Sequence, residues 1–80
     1  MPYIEQELRE VLEKADPHFP GELNYVITQV ILRYFRNRGA ISYSAINEVI
    51  GVLECAKLEL YRRVAAPYED KKIIQNGDVY

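Results

Sequence analysis

Cysteine, histidine and net charge are what this sequence has least of. Cys55 is the only cysteine in 80 residues and His18 the only histidine. No disulfide can close within one chain, and a four-ligand zinc site would have to draw on carboxylates. The apolar neighbours of Cys55 suit a buried thiol in a reducing compartment. A formal net charge of -2 gives no strong field towards nucleic acid or an anionic membrane. No run approaches the roughly 18 apolar residues of a spanning helix, and no charged-then-apolar leader precedes a cleavage site. A cytoplasmic address without a membrane partner is expected.

What the sequence does have is apolar surface. Hydrophobic residues make up 49% and charged residues 28% of the chain, the balance of a folded domain rather than a disordered one. Residues 1–80 read as a single helical domain. At this size one core is marginal, and small domains add disulfides, a metal or further copies. With the first two disfavoured, oligomerisation is left.

Three helices are predicted. In residues 3–15, Ile4, Leu8, Val11, Leu12 and Ala15 keep the i, i+3, i+4 spacing of a one-faced helix. Asp16-Pro17-His18-Phe19-Pro20-Gly21 then breaks the period and makes a corner, with Phe19 as its apolar plug. A second helix covers about residues 22–37, where Leu23, Val26, Ile27, Val30, Ile31 and Tyr34 form a wide stripe and Tyr25 and Leu32 lie on the far side. Its many β-branched residues make a strand the competing reading, but the run is too long and does not alternate. Gly39 is placed as a left-handed stop.

The third helix, residues 44–66, carries two apolar stripes. At roughly 100° per residue, Ile46, Val49, Ile50, Leu53, Ala56, Leu60 and Val64 share one, which is assigned to the subunit core. Gly51, Val52, Cys55 and Leu58 share the other, and so short a chain has too few elements to cover both. Ser42 or Ser44 can cap this helix and Pro67 is expected to end it. Lys57 falls in the main stripe, where a charge needs a partner such as Glu54, Glu22 or Asp70. Arg33, Arg36, Arg38, Arg62 and Arg63 lie near helix ends, where cations complement the helix dipole, and Glu59 lies within ion-pair reach of the last two. In the arm of residues 67–80, Asn76-Gly77 between Ile73-Ile74-Gln75 and Asp78-Val79-Tyr80 signals a two-residue β-hairpin, with an extended arm as the alternative.

A resemblance covers roughly the last three quarters of the chain. It is carried by Leu23-Asn24-Tyr25-Val26-Ile27-Thr28, by the run Ile46-Asn47-Glu48-Val49-Ile50-Gly51-Val52-Leu53-Glu54-Cys55-Ala56-Lys57-Leu58-Glu59, by Tyr61-Arg62-Arg63-Val64, and by the stretch from Pro67-Tyr68-Glu69-Asp70 to Asn76-Gly77-Asp78-Val79-Tyr80. These segments resemble a family of short uncharacterised all-α proteins from microbial and phage genomes. The resemblance implies no activity, substrate or catalytic residue.

Several groups remain as candidates for chemistry. Glu7, Glu10, Glu13 and Asp16 repeat every three residues, and such acidic pairs are similar to the magnesium-binding motifs of all-α nucleotide pyrophosphohydrolases, where carboxylates hold hard cations against phosphates. Those motifs lie on two facing helices, so Glu48 and Glu59 would have to complete a set begun by Glu7 and Glu10. A solvated acidic face is the plainer account. His18 has no nucleophile beside it in sequence, nothing nearby lowers the pKa of Cys55, and the tyrosines sit on or beside helical stripes where rings pack. Nucleic acid is not expected as a partner, and no cofactor is expected.

The sequence therefore reads as an all-α, three-helix domain with a C-terminal hairpin or arm, forming a homodimer or higher oligomer. Its interface would use Gly51, Val52, Cys55, Leu58, Tyr25, Leu32, Ile73, Val79 and Tyr80. The expected role is interaction or assembly without catalysis. A metal-dependent pyrophosphohydrolase-like enzyme at a subunit interface is the alternative, and no external partner is named by the residues.

Overall fold

A computed structural model describes residues 3–13 and 15–80. The elements are α1 (Gln6–Leu12), α2 (Pro20–Arg38), α3 (Tyr43–Leu60), a π-helical turn (Tyr61–Ala65) and α4 (Ala66–Asn76). No strand occurs among the described residues, so the all-α expectation holds. Packing groups the residues into two units, Met1–Ala45 and Ile46–Tyr80.

In the first unit α1 is shorter than expected. Glu5 is extended at φ -60 and ψ 148, and at the other end the pair Asp16-Pro17 disfavours helical backbone before the proline. Ala15 still donates to the Val11 carbonyl at 3.0 Å. The helix α2 begins two residues before the predicted start, because Pro20 fits the first helical position, where its missing N–H leaves no bond unmade. Glu22, 8% exposed, accepts the His18 backbone N–H at 2.8 Å, a reach-back akin to a capping box. Phe19 is not a plug. It stands in extended conformation at the helix start and is 68% exposed.

The far end of α2 follows the sequence. Gly39 adopts φ 93 and donates to the Arg36 carbonyl at 3.0 Å. A left-handed residue there is what glycine supplies without a Cβ clash. The helices α1 and α2 pack together through buried Leu12, and the Arg9 guanidinium lies 5.9 Å from the centre of the Tyr25 ring. Ser42 is the cap of α3, its hydroxyl accepting the Ala45 N–H at 3.1 Å.

The second unit departs most from expectation. Pro67 does not end the helix, which runs on through the π turn to Asn76. Ala66 donates to the Tyr61 carbonyl, five residues back rather than four. A widened turn of this kind is a recognised way for a helix to absorb a proline, which has no N–H for the carbonyl one turn behind it and whose ring would crowd that carbonyl. Asn76-Gly77 likewise makes no hairpin. A type I′ turn needs positive φ at both central residues, yet only Gly77 has it, at φ 87, and no non-glycine residue does among those described. Gly77 instead donates to the Ile73 carbonyl at 2.8 Å, closing α4. Asp78 then accepts the Tyr80 N–H at 2.9 Å in a short local turn.

Burial is the other correction. None of residues 46–80 is buried. The main stripe of α3, assigned to the subunit core, leaves Ile50 60%, Leu53 39% and Leu60 63% exposed. The thiol of Cys55 is exposed as well. Among the described residues, Leu12 and Ala45 are the buried apolar side chains.

Candidate interaction surface

The helix α3 presents Gly51, Val52, Cys55 and Leu58 along one side, all exposed. A Cβ added to Gly51 would meet nothing within 4 Å, so packing inside the chain does not require a glycine there. The opposite side carries Ile46, Ile50, Leu53, Leu60 and Val64, each at least 39% exposed. A helix apolar on two sides and buried on neither is unusual for a soluble domain, where such surface marks a contact site.

Charges punctuate this surface without closing it. Lys57 pairs with Glu54 at 3.2 Å, with side chains 70% and 56% exposed. The lysine of the main stripe is therefore neutralised at the surface rather than buried, by a pair worth about 0.2 to 1 kcal/mol at most. Glu59 holds Arg62 and also Arg63, the latter at 3.3 Å. The Tyr61 phenol is held above its ordinary pKa, chiefly because its hydroxyl hydrogen-bonds the Glu69 carboxylate and then through that charge. On an uninterrupted α-helix these two, eight residues apart, would lie about 80° apart around the axis. The extra residue in the π turn narrows that angle and brings them close to two full turns apart. Lys72 lies 5.5 Å from the centre of the Tyr68 ring.

The other predicted interface residues are distributed differently. Tyr25 and Leu32 are half-buried on α2, and Tyr25 lines a cleft of about 400 Å³ with Leu12, Val26, Gln29, Arg33 and Arg36. Ile73 lies on α4 at 42% exposure, whereas Val79 and Tyr80 follow it at 92% and 113%. The cleft had no sequence signal beyond the arginines, whose place near a helix end already accounted for them.

The carboxylates of the hydrolase reading lie on α1 (Glu7, Glu10) and α3 (Glu48, Glu59). Among the described residues no three His, Cys, Asp or Glu side chains group so as to hold a metal ion, and Glu59 is engaged by arginines. No helix of the described residues is long and apolar enough to cross a membrane.

Residues 1–79 match the family described as a domain of unknown function, DUF6899. The chain belongs to that family. No curated protein and no solved structure matches it. The membership agrees with the resemblance carried by the α2 and α3 segments.

Proposed function

We propose that this chain is a small assembly protein without catalysis, active as a homodimer or higher oligomer. The observation that carries the reading is the exposure of apolar residues on both sides of α3, with none of residues 46–80 buried. A helix of this kind gains most of its stability from packing of its apolar face rather than from propensity. A second copy supplies that packing. Gly51 and Cys55, one helical turn apart, let a partner helix approach closely, and Val52 and Leu58 give the contact its apolar area. The residues of α4 and the tail that stay exposed, Ile73, Val79 and Tyr80, extend the surface. The exposed thiol of Cys55 goes with a reducing, cytoplasmic setting.

Thermal melting across a concentration series tests this directly, because folding linked to association raises the melting temperature with concentration. The expected result is such a rise, reduced by Gly51→Leu. A concentration-independent midpoint contradicts the proposal. Magnesium should leave the midpoint unchanged, and a rise abolished by Glu7→Gln would favour the hydrolase instead.

A further inference from the structure

From the order of residues on α3 and the π turn we infer that two copies of this chain pair antiparallel, with the two-fold axis at Cys55. The inference rests on the self-association proposed above and adds its direction and register.

On the face of Cys55 the sequence is complementary to its own reversal. Val52 and Leu58 lie three residues to either side of it. That pair sets apolar against apolar. Seven residues away on one side is the acid Glu48 and on the other the base Arg62. Gly51, the one residue of α3 without a side chain, matches the long Glu59. A dyad at Cys55 therefore sets Val52 against Leu58, Glu48 against Arg62 and Gly51 against Glu59, each twice.

These positions also share a face. At roughly 100° per residue, Glu48, Gly51, Val52, Leu58, Glu59 and Arg62 all fall within about 60° of Cys55. They are exposed. Parallel pairing in register would instead oppose Glu48 to Glu48 and Arg62 to Arg62, and like charges across an interface select against an orientation. Glu59 already holds Arg62 within one chain, so the partner's Glu48 would join an existing pair and form a small network. Two glycines placed symmetrically about the axis let the backbones close in on either side of the thiols.

Spin-label distances between copies test the register. Labels are placed on native Cys55, and on Asn47→Cys, Arg63→Cys and Gln75→Cys in a Cys55→Ser background. All four positions are exposed. With a rise of 1.5 Å per residue, antiparallel pairing offsets the labels along the axis by about 24 Å at positions 47 and 63 and about 60 Å at 75, with close approach at 55. A parallel pair gives a near-constant separation of about 10 Å throughout, which overturns the inference while leaving the oligomer intact. Equal masses with a distance minimum away from 55 overturn the register alone. A monomer overturns both this inference and the reading beneath it. Charge exchange gives an independent arm: Glu48→Arg and Arg62→Glu should each weaken association about tenfold, and the double variant should recover it. Failure of the double variant, with helicity retained, contradicts the pairing.

Discussion

The two units of the chain differ in degree: the first buries Leu12 and Ala45 while Leu23, Ile27, Val30 and Tyr34 of α2 stay exposed, and the second buries no side chain. In the first, α1 and α2 meet across Leu12, Arg9 covers Tyr25, and Glu22 turns back to the corner that precedes its helix. In the second, residues 46–80 form helix almost throughout and bury no side chain. Local hydrogen bonding is complete enough to make a helix in both. Only the first unit has begun to make a core.

The largest expected effect breaks the second unit's side of that comparison. Val52→Asp combined with Leu58→Asp places charge on the proposed contact surface of each copy and should weaken association at least about a hundredfold, given about 1.5 to 3 kcal/mol for each buried apolar side chain. Sedimentation measures the dissociation constant, and unchanged assembly would move the interface to another face. In the first unit, Leu12→Ala should lower the melting temperature by removing the contact between α1 and α2, at a cost of about 2 kcal/mol, the low end for a leucine in so thin a core. Equal melting would mean that the two helices do not depend on one another.

Much of this architecture was legible in the sequence, and the failures have physical causes. The apolar spacing of α2 and the glycine after it specify a helix and its end because both depend on neighbouring residues alone. Pro67 and Asn76-Gly77 carry local signals of equal strength, but each has two outcomes. A proline can be absorbed by a widened turn, and a glycine that allows positive φ can close a helix as well as a hairpin. The placement of Leu53 and Cys55 failed for a different reason. Periodicity shows that a stripe is apolar, not which molecule covers it, and the assignment of Leu53 to the subunit core assumed a cover within the chain. The family membership supplies no activity by which a catalytic arrangement could have been recognised.

Smaller effects sharpen the account of the helix ends. Gly39→Ala puts a Cβ on a residue at φ 93 with open space around it, so the cost is backbone strain alone, about 1 to 2 kcal/mol, read as a lower denaturation midpoint. An unchanged midpoint would show that the α2 stop tolerates a side chain. Pro67→Ala removes the reason for the π turn and should restore an α register, raising helicity while separating Tyr61 from Glu69.

The smallest effect is electrostatic. Because the Tyr61 phenol is raised above the ordinary tyrosine value mainly by Glu69, the bond's contribution is fully present below the unfolded tyrosine value and is lost as pH rises through the folded one. Glu69→Gln should return the phenol's ultraviolet titration towards pH 10, and Pro67→Ala should do the same through the register. A Tyr61 titration indifferent to both changes would remove the π turn from the account of this contact.

In the proposed assembly the exposed helix of the second unit is completed by another copy. Static light scattering on the wild-type chain at micromolar concentration tests it most directly. The expected mass is twice the 9.3 kDa of one chain or a higher multiple, falling towards 9.3 kDa with Val52→Asp and Leu58→Asp. A wild-type mass of 9.3 kDa, with the helix content intact, would contradict it.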